Sequence, residues 1–319
     1  MNMKRIACAL GAVAALIVVD LSFSPARAQD NLGDDRVRQD EATHGRVSGP
    51  GRERPSRGRQ RQQQQQPAQP DPAVVLAEAQ AILTAAGSPC QATEATLLGK
   101  TAEQVSLYET ICASGPGYIV VGSTPPETLD CLVLASQAEK KRAADPAADV
   151  GTVCTLPANQ NTLTFFAAYA QEAGIACQVD QGTVAGVKSD GKLVYEIGCA
   201  GADGYWLERA DAGWQKTECM QVLMQNAACP FTTPAEQAAT VKSWLAGSDA
   251  AGCDVQQVRL MGHNANGRFY EATCAGAEGV IARVNAEHAV QQIYPCAEAA
   301  LIGGGCKLTT TPPAATPEA

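Results

Sequence analysis

The sequence predicts an α+β protein: three tandem disulfide-stapled units, each a helix packed on a four-stranded antiparallel meander, following a disordered linker. Three observations lead there. Twelve of the thirteen cysteines fall into three sets of four: Cys90, Cys112, Cys131 and Cys154; Cys177, Cys199, Cys219 and Cys229; Cys253, Cys274, Cys296 and Cys306. A strand-like phrase is written three times, as "LYETICASGPGY", "VYEIGCAGADGY" and "FYEATCAGAEGV", beginning at Leu107, Val194 and Phe269. Aromatic content is only 5%, so units of this size bury little apolar area and need covalent staples.

The repeat extends beyond the cysteines. First-to-second spacings are 22, 22 and 21, and second-to-third spacings are 19, 20 and 22. The last spacing is 23, 10 and 10, the first unit carrying a polar insertion around Glu139 to Asp149. Nine residues after each first cysteine comes Gly99, Gly186 or Gly262, and two after each fourth comes Leu156, Phe231 or Leu308. Such self-similarity marks one duplicated module.

Along the chain, residues 1–28 read as a secretory signal peptide. Lys4 and Arg5 precede the apolar run Ile6 to Val19, and Ala26-Arg27-Ala28 supplies a small-x-small cleavage pattern. Cleavage after Ala28 removes Cys8 and leaves an even twelve cysteines, which in an oxidising compartment favours disulfides. The expected location is the periplasm or outside the cell, with no stable membrane span after cleavage. Residues 29–72 form an Arg/Gln/Pro-rich linker, including the pure run Gln62 to Gln66, and compositions of this kind do not fold. Units are expected at 73–156, 157–232 and 233–309, with a disordered tail at 310–319.

Within each unit a helix comes first, from apolar periodicity in Val74-Val75-Leu76 to Leu83, Phe165-Phe166 to Tyr169, and Ala238 to Leu245. It stops near Gly87, Gly174 or Gly247. Asp190-Gly191 and Asn266-Gly267 are hairpin dipeptides between the first two strands. Pro116-Gly117, Asp203-Gly204 and Glu278-Gly279 are expected to turn the chain into the third strand, and a turn near Asp211 or Asn285 into the fourth. A short helical segment then precedes the fourth cysteine.

A meander brings the start of strand one beside the end of strand two, and strand four ends at that same side. The favoured pairs are therefore Cys90 with Cys112, Cys131 with Cys154, Cys177 with Cys199, Cys219 with Cys229, Cys253 with Cys274, and Cys296 with Cys306; crossed pairings are the alternative.

Charge and motif content narrow the function classes. The folded part, 73–319, carries 13 basic against 25 acidic residues, which argues against nucleic acid as a partner. Arg46 to Arg61 is the exception, with six arginines against Glu53. That tether could touch anionic envelope polymers, or serve only as a solvated spacer. There is no Cys-x-x-Cys, and only His263 and His288 lie in the folded part, so neither a structural metal nor a cysteine nucleophile is expected. Both histidines read as surface or turn residues. No phosphate loop, nucleophile elbow or HExxH occurs, and no cofactor is expected.

One candidate for ligand contact repeats: Glu109, Glu196 and Glu271, each after the tyrosine of the strand motif. By the two-residue strand period the glutamate points away from the tyrosine and cysteine face. It could bind a cation or act as a general base. The simpler expectation is a solvated strand-face residue paired across strands with a cation such as Lys188 or Arg259.

At "VYEIGCAGADG" the chain resembles the PepSY module, in which a Tyr-Glu-Val strand precedes an Asp-Gly turn. The helix-plus-four-strand repeat is also similar to the unit of the β-lactamase inhibitory protein, a secreted double repeat with disulfides. That resemblance covers most of 73–309 and implies binding or inhibition of an exported hydrolase, with no catalytic residues to transfer. The chain thus reads as a non-enzymatic binding protein directed at an envelope protein or polymer. An inhibitor of a periplasmic or secreted hydrolase is the alternative, and an enzyme of unknown type the third reading.

Overall fold

A computed structural model describes residues 70–309. The signal segment, nearly all of the linker with its cationic stretch, and the tail lie outside these residues. The first unit comprises α1 (Pro72–Ala85), β1 (Ala92–Lys100), β2 (Ser106–Cys112), β3 (Tyr118–Val121), β4 (Glu127–Asp130), α2 (Cys131–Ala144) and α3 (Pro157–Gln160). The second runs α4 (Thr162–Glu172), β5 (Val179–Val187), β6 (Leu193–Cys199), β7 (Ala202–Ala210), β8 (Gly213–Glu218) and α5 (Cys219–Met224). The third is α6 (Pro234–Leu245), β9 (Val255–Asn264), β10 (Gly267–Cys274), β11 (Ala277–Val284) and β12 (Val290–Pro295). Each unit holds one four-stranded antiparallel meander in chain order, so its first and fourth strands are sheet edges.

The leading helices begin where local chemistry says they should. Asp71 accepts from Ala73 N–H at 2.9 Å with Pro72 in the first turn, and Thr233 and Glu236 form a reciprocal capping box before α6. Helix α1 buries Val75, Ala79 and Leu83, spaced four apart, against its sheet. Gly87 and Gly174, at φ 70° and 66°, end α1 and α4 in the left-handed conformation that glycine adopts without strain. On the sheet face under the helices lie Tyr108, Tyr195 and Tyr270, all buried.

The glycine nine places after each first cysteine marks a bulge. Register slips at Leu98, Ala185 and Met261, just ahead of Gly99, Gly186 and Gly262, and again near the strand start at Thr93, Asp180 and Gln256. Every first strand is therefore kinked twice at equivalent points.

The turn into the third strand differs from expectation. The tight connections lie at Ala200-Gly201 and Ala275-Gly276, between the paired residues Cys199 and Ala202 and between Cys274 and Ala277. Gly115, Gly201 and Gly276 supply the positive φ, 73°, 71° and 66°. Gly204 and Gly279 lie inside β7 and β11, and Gly117 sits just before β3. Two residues suffice to reverse antiparallel strands, so the later Asp-Gly and Glu-Gly pairs are already in the ladder.

Six disulfides join the first cysteine to the second and the third to the fourth in every unit: Cys90–Cys112, Cys131–Cys154, Cys177–Cys199, Cys219–Cys229, Cys253–Cys274 and Cys296–Cys306. Replacing Cys219 and Cys229 by serine is expected to cost about 3 kcal/mol, read as a lowered denaturant midpoint, because a loop of this length loses roughly that much closure entropy when linked.

Consecutive units stack through the segment after the third cysteine. Leu132 of α2 belongs to the second unit's core, and Met220 of α5 to the third's. Around the bulge at Ala185, Ser136 Oγ accepts from Val184 N–H at 2.9 Å, and Lys140 Nζ donates to Val184 O at 2.7 Å. The polar insertion of the first unit thus forms a longer helix that covers the edge of β5. In the third unit the expected short helix is absent: turns fill 297–304, where Gly303, Gly304 and Gly305 take φ of 56°, 84° and 78°.

Candidate functional site

The repeated glutamates are not solvated. Glu109, Glu196 and Glu271 are 0%, 1% and 0% exposed, buried on the sheet face opposite the helix by the chain that follows the fourth cysteine. Glu109 accepts from Leu156 N–H at 2.8 Å, from the N–H and hydroxyl of Thr155, and from the Asn159 amide at 2.9 Å. Glu196 accepts from Phe231 N–H at 2.7 Å. Glu271 accepts from the N–H groups of Lys307, Leu308 and Thr309, and pairs with Arg259. The Arg259 pair is as expected; the solvent is not. Lys188 pairs instead with Glu208, at 2.8 Å.

This clasp explains the other repeated positions. Leu156, Phe231 and Leu308 each donate a backbone N–H to their unit's glutamate, and the disulfide just ahead delivers them there. The glycine five residues past each second cysteine makes room. A Cβ on Gly117 would meet Thr110 O at 1.9 Å, one on Gly204 would meet Thr232 Oγ1 at 2.4 Å, and one on Gly279 would meet Thr309 Oγ1 at 2.1 Å. Each glutamate also lies within 4.8 Å of the sulfurs of its third and fourth cysteines. Those sulfurs are bonded to each other, so they offer no thiolate to a metal. The glutamates are anchors of the fold.

The three anchors differ electrostatically. For Glu271, burial pushes the carboxyl up but is outweighed by the Lys307, Leu308 and Thr309 N–H groups and Arg259, leaving it below its ordinary value. For Glu196, burial outweighs the single Phe231 N–H and pushes it up to about 7. Asp203 also rises to about 7, where burial, aided by the Glu218 charge, outweighs the Met220 N–H. Glu218 is buried too, yet its contacts with His288, Gln221 and Arg268 bring it down to about 2.

A pH dependence follows. The raised groups bind more protons folded than unfolded, so their contribution falls as pH rises from their ordinary range to 7. The Glu218 contribution falls as pH drops towards 2. Thermal melting is expected to be higher at pH 5 than at pH 8, and Glu196→Gln with Asp203→Asn should flatten that difference. Equal melting temperatures of the unmodified chain at the two pH values would contradict it.

The junction between the first and second units forms a cleft of about 570 Å³, whose walls include Tyr118, Asp130, Tyr169, Glu172, Tyr195 and Arg209. Tyr169 packs on Tyr195 at 5.1 Å and on Trp214 at 4.9 Å between ring centroids. Arg209 lies 4.1 Å over the Trp214 ring and 3.4 Å from Glu172. Asp130 caps α2, its Oδ1 accepting from Leu132 and Val133 N–H at 2.7 and 3.2 Å. Burial raises its pKa despite those two bonds. Burial first, and then the Asp130 charge, raise Tyr118 and Tyr195; Tyr169 is raised as well, Asp130 again contributing. The cleft thus joins aromatic faces, phenol hydroxyls and a carboxylate, the mixture that ligand sites favour. From the sequence, Tyr169 belongs to a helix and Tyr195 to the strand motif, and none of these residues is expected as a ligand contact. The available signal was an acidic residue before the third cysteine in two units, Asp130 and Glu218, against Pro295 in the other.

His288, expected as a surface turn residue, does occupy a turn at φ 60°. Its ring, however, stacks on Trp244 at 4.5 Å and lies 2.6 Å from Glu218. His263 is exposed.

No family model, no curated protein and no solved structure matches this chain.

Proposed function

We propose that the chain is an exported, non-enzymatic binding protein whose ligand site is the cleft between its first and second units. One observation carries this reading. The second strand of every sheet is buried on both faces, its tyrosine under the leading helix and its glutamate under the clasp, while the first junction opens a polar and aromatic cleft of about 570 Å³. Its polar groups suit recognition better than catalysis: Glu172 is engaged by Arg209 and by Trp214 Nε1, and Asp130 is a helix cap, so no free pair of carboxylates converges for acid–base work.

Export is supported by six disulfides and by the reading of residues 1–28. Among the described residues no helix is long and apolar enough to cross a membrane. A photo-crosslinking residue at Ser114, on the cleft wall, is expected to capture a ligand in secreting cells. The same residue at Lys100, at the far end of β1, should not. Identical adducts from both positions, or none from Ser114, would overturn the reading.

A further inference from the structure

The two junctions are built from equivalent residues, and one of them shows what the other lacks. Glu218 in the second junction and Asp130 in the first both precede a third cysteine. They pair across the ladder with Tyr205 and Tyr118, in the same register. The strand tyrosine of the following unit faces each: Tyr270 in the second junction, Tyr195 in the first. Beyond it lies an aromatic residue of that unit's leading helix, Trp244 or Tyr169.

In the second junction the carboxylate is met by a guanidinium and an imidazole from the protein itself. Glu218 Oε1 lies 2.6 Å from Arg268 Nη1 and 2.6 Å from His288 Nε2, while Oε2 accepts from the Tyr270 hydroxyl at 3.0 Å. In the first junction the position of Arg268, two before the tyrosine, is Leu193. The place of the His288 ring against the helix aromatic is taken by Trp214. Among the described residues no cation pairs with Asp130. The nearest guanidinium in the cleft wall, Arg209, is held by Trp214 and Glu172.

We propose that the first-junction cleft binds a ligand through a guanidinium or primary ammonium group seated between Asp130 and the Tyr195 hydroxyl, as Arg268 is seated between Glu218 and Tyr270. This rests on the cleft being the ligand site and names the chemistry it recognises. A half-buried carboxylate such as Asp130 is stabilised by an N–H cation that also hydrogen-bonds it. The rings of Tyr118, Tyr169 and Tyr195 add faces that attract positive charge, and desolvation strengthens that attraction. A cavity of this size holds an arginine or lysine side chain with several neighbouring atoms.

The test is calorimetric titration of the full chain with two probes: agmatine, a small guanidine, and the capped tripeptide Ac-Gly-Arg-Gly-NH2. The citrulline tripeptide, neutral but nearly isosteric, is the control. Binding of either cationic probe at least tenfold tighter than citrulline is expected. Preference for the peptide points to a partner protein's side chain, and preference for agmatine to a free amine. Asp130→Asn keeps a good helix cap and should weaken binding at least tenfold. Tyr195→Phe should weaken it less. Leu193→Arg reproduces the second junction and should abolish binding while raising the melting temperature, an outcome a merely structural Asp130 would not give. Equal affinity for arginine and citrulline peptides, or Asp130→Asn binding unchanged, would overturn the proposal. Adducts at Ser114 without cation binding would overturn the ligand class and leave the cleft as the site.

Discussion

Glu109→Ala is expected to destabilise the first unit by about 3 kcal/mol or more. The substitution leaves the N–H groups of Thr155 and Leu156 without their acceptor and the Asn159 amide with Thr110 O alone, and each orphaned donor shielded from water costs roughly 1–3 kcal/mol. Those donors sit on the last turns of the unit, so the clasp should lift and expose β2. Denaturant unfolding and hydrogen exchange on residues 155–159 read the two effects. Glu196→Ala should cost less, about 1–2 kcal/mol, because it orphans one N–H and removes a carboxyl that burial already disfavours. A solvated strand-face residue would change stability by under about 0.5 kcal/mol. Losses that small at Glu109 would contradict the clasp.

Gly117→Ala is expected to cost on the order of 3 kcal/mol or more through overpacking. Its methyl would lie 1.9 Å from Thr110 O and 2.5 Å from Asn159 Oδ1. The first is backbone and cannot rotate away, so β3 must separate from β2. Gly117 N–H also donates to Asn159 Oδ1 at 3.0 Å, and that bond ties the third strand to the clasp. Gly87→Ala is the useful comparison, since a Cβ there meets nothing within 4 Å and only the left-handed φ of 70° resists it. A smaller loss at Gly117 than at Gly87 would show that close approach is not what the glycine provides.

Much of this architecture was legible in the chain because its signals are local. Asp190-Gly191 and Asn266-Gly267 announce hairpins within two residues, and the apolar periodicity from Val74 to Leu83 or from Ala238 to Leu245 shows within three turns of helix. The repeat was visible because equal cysteine spacing is a property of one sequence compared with itself. The clasp was not legible for the opposite reason. Glu109 finds its partners 46 to 50 residues later, and most of them are backbone N–H groups, which every residue except proline carries. Only the apolar residue two places after each fourth cysteine hinted that something is held at a fixed offset there. The glycine of the strand motif misled because Asp-Gly is such a good turn dipeptide; Gly204 is a glycine for the sake of Thr232, 28 residues away. The cleft was hidden because its character depends on a difference between copies, Leu193 against Arg268, and a repeat is normally read for what its copies share.

The stacking through Leu132 and Met220 has a direction. The first and second units each lend one apolar side chain forwards, from the residue after the third cysteine, and the second and third each receive one in the core beside their first strand. The third unit has Ala297 at that lending position, and Glu278 holds the backbone N–H there at 2.6 Å. The first unit has nothing ahead of it among the described residues, and Leu98 at its bulge is 40% exposed. The module is directional, and its third copy carries a methyl group where the first two carry Leu132 and Met220. A large apolar residue at that position is what seats a following unit, as Leu132 and Met220 do, so the junctions are made by the unit in front and accepted by the edge of the one behind.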